Sequence, residues 1–238
     1  MHYVTAVIAA GGSGRRMQLP GNKVYVPLLG KPVLSRTVEI FDCYRGITEI
    51  VVVMPHKEIE SCRSVIEPFC RNTPVKVVAG GKERQDSVFC GILAASGNCE
   101  YVVVHDGARP LLTSALLEAV LREAMVHDAA IAAVPLKDTV KIADARGFVV
   151  DTPDRDSLWS VQTPQVFKKE VLAAAHEWAQ GRGILGTDDA SLVEKLGHQV
   201  KIVPGDYENI KITTPEDINI AEAILLKRRD RDAGGNRL

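Results

Sequence analysis

The sequence predicts an α/β fold built on a doubly wound, mostly parallel sheet. Two observations carry this. Short apolar runs rich in β-branched residues recur along the chain, as expected of strands buried on both faces. Segments with apolar residues at helical spacing alternate with them.

Val4 to Ala10 reads as a buried strand ending in a glycine loop at Gly11-Gly12. Pro32 opens a helix with Leu34, Val38 and Phe41 on one face. Ile50 to Met54 is a strand, and Ile59, Cys62, Val65, Ile66 and Phe69 line the next helix. Val75 to Ala79 is a strand stopped by Gly80-Gly81. A helix from about Arg84 to Ala95 follows, then the strand Tyr101 to Val104. Leu116, Leu117, Val120, Leu121 and Ala124 make a helical face, and Ala130 to Val134 is another strand.

The pattern changes after Pro135. Thr139 to Ile142 and Phe148 to Thr152 read as a β-hairpin with little apolar surface, marginal alone and so expected to pack on something such as a second subunit. Helices are predicted over Lys169 to Ala179, Asp188 to Leu196 and Pro215 to Leu226, and a strand over Val200 to Val203. The expected division is one domain over residues 1–228, with 136–160 as a dimerising arm, and a flexible tail over 229–238.

A chain of 238 residues suffices for one such domain with a sizeable core. The formal net charge of -1 argues against nucleic-acid or anionic-membrane binding, so affinity for a phosphorylated ligand must come from local clusters. Five cysteines, an odd number with no C-x-x-C pair, argue against a disulfide framework or a structural zinc site and fit a reducing cytoplasm. No signal-peptide pattern opens the chain, and no apolar run is long enough for a transmembrane helix.

In a doubly wound sheet, ligands bind outside the carboxyl ends of the strands. Three motifs fall on that edge. The first is Ala9-Ala10-Gly11-Gly12-Ser13-Gly14-Arg15-Arg16-Met17, followed by Asn22-Lys23. Its glycines let backbone N–H groups approach a phosphate, and its cationic side chains suit a nucleoside triphosphate. It is not a Walker A loop, and Met17 stands where a dinucleotide fingerprint needs its third glycine. The second, Gly80-Gly81-Lys82-Glu83-Arg84-Gln85-Asp86-Ser87, offers free N–H groups at a helix start, with Ser87 and Arg84 as further donors.

The third motif is His105-Asp106-Gly107-Ala108-Arg109-Pro110. Asp106 could help hold Mg²⁺ on a triphosphate or accept a hydrogen bond from an acceptor hydroxyl. For His105 a structural hydrogen bond is favoured over a general-base role, because an acceptor phosphate is already a competent nucleophile. Asp138-Thr139-Val140-Lys141, Asp154-Arg155, Trp159, Gln162-Thr163-Pro164-Gln165 and Asn209-Ile210-Lys211-Ile212-Thr213 are each bland alone. Thr187-Asp188-Asp189 reads as a helix N-cap with an acidic first turn.

In combination, these motifs resemble the 2-C-methyl-D-erythritol 4-phosphate cytidylyltransferases of the non-mevalonate isoprenoid pathway, from about Val4 to Leu225. The ordered set is A-A-G-G-S-G-R-R-M, N-K, G-G-K-E-R-Q-D-S, H-D-G-A-R-P, D-T-V-K, D-R-x-x-L-W, Q-T-P-Q and N-I-K-I-T-x-P-E-D. The chain departs from the family at Asn22-Lys23-Val24, where Pro-Lys-Gln is common, and at Lys82, where some members are acidic.

The resemblance implies a Rossmann-like nucleotidyltransferase sheet with a projecting β-arm that embraces a second subunit, giving a homodimer with shared active sites. It implies transfer of CMP from CTP to the acceptor phosphate by in-line attack on the α-phosphorus, with pyrophosphate and Mg²⁺ leaving. By analogy Arg16 and Lys23 stabilise the transition state and the leaving pyrophosphate, and Arg155 and Lys211 orient the attacking phosphate. Gly81 and Ser87, with backbone at Ala10, Gly11, Gly12 and Gly14, hold the cytidine nucleotide. Asp106, Arg109, Thr139 and Thr163 bind the acceptor, and Mg²⁺ is held mainly by the CTP phosphates.

The nearest rival is a ribitol 5-phosphate cytidylyltransferase, which shares the nucleotide loop. Asp154-Arg155-Asp156-Ser157-Leu158-Trp159 looks more like the methylerythritol enzymes. A broader rival is a nucleotidyltransferase using UTP or GTP. A third is a non-catalytic nucleotide-binding module, which would not need an acceptor clamp.

Overall fold

A computed structural model describes residues 2–12 and 22–235. Its elements run β1 (Val4–Ala9), β2 (Pro27–Leu28), β3 (Lys31–Pro32), α1 (Val33–Cys43), β4 (Glu49–Met54), α2 (Ile59–Ile66), β5 (Val75–Ala79) and α3 (Arg84–Ala94). They continue with β6 (Tyr101–Asp106), α4 (Ser114–His127), β7 (Ala129–Pro135), β8 (Ile142–Ala143), β9 (Val149–Asp151) and β10 (Trp159–Lys168). The last are α5 (Lys169–Gln180), α6 (Asp189–Lys195), β11 (Lys201–Pro204) and α7 (Pro215–Gly235).

A seven-stranded sheet has the order β11-β7-β10-β6-β1-β4-β5. The β5–β4–β1–β6 pairings and the β11–β7 pairing are parallel, and β10 runs antiparallel to both β6 and β7. The mixed, mostly parallel α/β sheet is the predicted fold class. The chain reverses its direction of winding between β1 and β6, so a crevice opens there at the carboxyl ends.

Both sheet faces are covered, which explains the continuous apolar strands. Ala6 and Ile8 of β1 point to the layer of α1, α2 and α4, where Leu34, Phe41, Ile66 and Leu117 are buried. Val7 points the other way, to the layer of α3, α5 and α6, with Val88, Phe167 and Leu172. Each fully buried large side chain of this kind stabilises the fold by roughly 1.5–3 kcal/mol.

Three expectations need correction. Strand β10 is missing from the sequence reading, because Pro164 and the polar residues Gln162, Thr163 and Gln165 break any strand pattern; all three polar side chains are nonetheless buried. The register shifts between Val161 and Gln165, which accommodates the proline. The last helix does not stop at Leu226 but continues to Gly235. Lys227 and Arg228 tie it down, both reaching Glu208 (2.7 and 3.2 Å), and Arg228 also donates to the Leu111 carbonyl (2.8 Å).

The hairpin is shorter than predicted and carries more apolar surface. Ile142, Phe148, Val149 and Val150 are all exposed. Its turn is closed by Asp144, whose carboxylate accepts from the Arg146 and Phe148 N–H groups, and Gly147 supplies the positive φ of 86°.

Candidate active site

The carboxyl ends of β1, β4, β5 and β6 meet on one edge, as the sequence predicts. Backbone bonds draw their loops together: Ala10 N donates to Val53 O (3.0 Å), Gly80 N to Met54 O (2.8 Å) and Gly107 N to Ala9 O (2.9 Å). Because β10 runs antiparallel, its Gln162–Gln165 segment arrives at the same edge. Asn22 then closes the stem of the glycine loop by donating to the Ala10 carbonyl (2.9 Å). Its side-chain oxygen also accepts from Val24 N and starts the single helical turn that presents Lys23.

A cleft of about 660 Å³ opens on this edge. Ala10 to Gly12 form one wall, Gly81 to Arg84 and Ser87 the other, and Lys23, Asp106 and Lys211 close the end. Gly81 is required by close approach, since a Cβ there would lie 2.3 Å from Asp86 Cβ. A second cleft of about 460 Å³, containing Arg109 and Thr163, lies beside it. Arg84, Asp106 and Lys211 line both, so the two spaces meet at one charged junction.

Asp106 is the centre of that junction. Lys211 Nζ lies 2.8 Å from its Oδ2, Arg109 Nε 3.4 Å from the same oxygen and Arg84 Nε 3.6 Å from Oδ1. Burial works to raise its pKa, but Lys211, Arg84 and Arg109 outweigh burial and hold the carboxyl well below the usual carboxylate range. The carboxylate therefore stays ionised and sets the positions of three cations. With both oxygens facing cations it is poorly disposed to bind a divalent metal, a role the sequence suggests for it. Among the described residues, no group of three or more His, Cys, Asp or Glu side chains is arranged to hold one.

His105 is fully buried, and burial pushes its pKa down to about 4. Its Nε2 meets the Arg109 carbonyl (3.1 Å), which can only accept, so the neutral ring carries its proton there. Nδ1 then accepts from the Thr163 hydroxyl (3.0 Å), which in turn accepts from Asp106 N (3.1 Å). The favoured structural role for His105 agrees with this geometry. The Thr163 proton is committed to the same chain, so Thr163 has only acceptor capacity left for a ligand.

Lys23 Nζ donates to the Ile212 carbonyl (2.7 Å), joining the start of the chain to the Lys211 loop. Of the sequence-predicted residues, Ala10, Gly11, Gly12, Lys23, Gly81, Ser87, Asp106, Arg109, Thr163 and Lys211 all line the paired clefts. Thr139 and Arg155 line neither. Thr139 and Arg155 are both exposed within the 136–160 arm, and Arg155 donates to the Lys137 carbonyl (3.2 Å). Gly14 and Arg16 lie outside the described residues. The sequence reading undervalued Arg84: a charged residue at a helix start is ordinary, and only the fold shows it between both clefts.

The family model described as IspD: 2-C-methyl-D-erythritol 4-phosphate cytidylyltransferase matches residues 4–227. A 2-C-methyl-D-erythritol 4-phosphate cytidylyltransferase from Caldanaerobacter subterraneus subsp. tengcongensis is 50% identical over 94% of this chain and 99% of its own. One from Geotalea uraniireducens is 49% identical over 93% and 96%. Among solved structures, the 4-diphosphocytidyl-2C-methyl-D-erythritol synthase of Anaerococcus prevotii superposes with a TM-score of 0.84 at 34% identity, covering 94% of this chain and 96% of that one. The cytidylyltransferase of Thermus thermophilus gives 0.75 at 31% identity, covering 93% and 98%. With the nucleotide-sized cleft and its cationic end, these matches favour the methylerythritol reading over the ribitol phosphate and non-catalytic alternatives, and the chain belongs to the 2-C-methyl-D-erythritol 4-phosphate cytidylyltransferase family.

Proposed function

We propose that CTP binds in the larger cleft and methylerythritol 4-phosphate in the smaller, and that they react at the Arg84–Asp106–Lys211 junction. The protein is a CTP-dependent cytidylyltransferase of isoprenoid precursor synthesis. An oxygen of the acceptor phosphate attacks the α-phosphorus of CTP. The new phosphorus–oxygen bond forms as the bond to the β-phosphate bridging oxygen breaks, and pyrophosphate leaves with that electron pair. No side chain need take a proton, in keeping with a buried, neutral His105.

The barrier arises from bringing two anions together in line. Catalysis therefore rests on positioning and on cations placed where charge develops. Lys211 orients the attacking phosphate, and Asp106 fixes Lys211 while offering acceptor capacity to the substrate hydroxyls beside Arg109 and Thr163. Lys23 and Arg16 serve the triphosphate. Gly81, Ser87 and the backbone from Ala10 to Gly12 hold the cytosine end. A divalent cation such as Mg²⁺, held mainly by the triphosphate oxygens, would supply charge neutralisation there.

Arg155 and Thr139 lie away from their own chain's clefts. The exposed apolar hairpin gives them a route to a site in trans: in a homodimer the arm of one subunit would bring both to the other's acceptor cleft. Among the described residues no helix is long and apolar enough to cross a membrane. All five cysteines are free thiols, which supports residence in the cytoplasm.

The observation that carries this reading is the sharing of three charged residues by two adjoining clefts. Pyrophosphate release tests it, with methylerythritol 4-phosphate and ribitol 5-phosphate compared side by side and UTP and GTP as controls. Strong preference for CTP with methylerythritol phosphate is expected; preference for ribitol phosphate would overturn the acceptor assignment.

A further inference from the structure

Behind the junction, Arg84 is tied to a second charged pair, Asp189 and His176, that the reaction scheme leaves unused. Arg84, at the start of α3, donates from Nη1 to Asp189 Oδ2 (2.7 Å). The other oxygen of Asp189 meets His176 Nε2 (3.2 Å), and a carboxylate only accepts, so that nitrogen carries a proton. The His176 ring stacks on Phe89 of α3, with centroids 5.6 Å apart and planes 6° from parallel. Asp189 and His176 are each 1% exposed, so this is a buried ion-pair system in which three helices meet.

Helix capping does not explain Asp189. The cap of α6 is Asp188, whose carboxylate accepts from Ser191 N (2.9 Å). An interior carboxylate costs several kcal/mol to desolvate and is a poor way to gain stability alone. Its strongest contact is instead an arginine that faces both clefts. With Nη1 held by Asp189 and Nε turned to Asp106, the guanidinium is gripped on two edges. Gln85 pins the same turn by donating to Ile184 O (3.1 Å) and accepting from Gly186 N (2.9 Å).

We propose that Asp189, backed by His176, is a positioning residue for the reaction: it holds the Arg84 guanidinium at the cleft junction, where that cation meets phosphate oxygens as the acceptor attacks. The inference rests on the junction being the reaction site, which the turnover of Lys211→Ala, a junction residue outside this cluster, tests separately. A guanidinium held on one edge only would swing within the junction. The cost would fall on turnover more than on binding of either substrate.

A double-mutant cycle on the full chain tests this, with kcat, both KM values and Tm measured for wild type, Asp189→Asn, Arg84→Ala and the pair. Asp189→Asn should lower kcat at least about tenfold per folded molecule, with both KM values within about threefold, as misplacement of a charge-stabilising group does. In the Arg84→Ala background the same change should have little further effect, because the two act as one unit. An unchanged kcat, or an equal loss in both backgrounds, would overturn the proposal and leave Asp189 a purely structural residue. Should Asp189→Asn fail to fold, His176→Leu, which removes the N–H donor to Asp189, replaces it in the cycle with the same two outcomes.

Discussion

Lys211 Nζ lies 2.8 Å from Asp106 Oδ2, one residue on the loop before α7 and the other at the end of β6. That distance is set by backbone stitching between the two segments. Ile212 N donates to Ala108 O (2.8 Å), and Arg109 Nη1 donates to Asn209 O (2.8 Å). Asn209 in turn donates to Thr163 O (2.9 Å). The segments that carry Lys211 and Arg109 are thus tied together through main-chain acceptors.

His105 gives a pH prediction. A histidine whose folded pKa is about 4, below its unfolded value of 6.5, binds its proton less readily in the folded protein. Its contribution to stability is complete above 6.5 and is lost as pH falls from 6.5 toward 4, by about 1.4 kcal/mol per pH unit. Urea unfolding at stepped pH should show this slope, and His105→Asn should remove that component. The pH profile of kcat should carry no histidine inflection that the variant abolishes; one that disappears would make His105 a catalytic group.

Gly81→Ala should weaken CTP use. The new methyl would sit 2.3 Å from Asp86 Cβ, so the first turn of α3, which lines the cleft, must shift. We expect the KM for CTP to rise about tenfold and stability to fall by about 1–3 kcal/mol, as overpacking does. A variant with the normal KM for CTP would place the nucleotide base elsewhere.

The arm predicts complementation. Arg155→Ala and Lys211→Ala should each be nearly inactive alone. Mixed and allowed to exchange, they should recover roughly a quarter of the wild-type rate, since half the dimers of a two-fold assembly are mixed and each has one intact site. If mixing restores nothing while heterodimers form, Arg155 does not serve the site across the dimer.

The strands β1, β4 and β6 are legible because burial on both faces leaves a long apolar run, as in Ile50 to Met54. The glycine turns and Asp106 follow from where such strands end. Strand β10 is hidden because it buries Gln162, Thr163 and Gln165 through side-chain partners rather than apolarity: Gln165 donates to Asp188 and Gln162 to the Asp206 carbonyl. Asp188 and Asp189 look alike in a sequence. One caps a helix and the other is buried on Arg84, and only tertiary packing separates them.

The most direct test of the junction is Lys211→Ala, assayed for CTP binding by calorimetry and for turnover with methylerythritol 4-phosphate. If Lys211 serves the attacking phosphate, CTP affinity should stay within about threefold while kcat/KM for the acceptor falls about a hundredfold or more, as loss of a preorganised charge donor does. An equal loss of CTP binding would contradict that assignment and make Lys211 part of the nucleotide site instead.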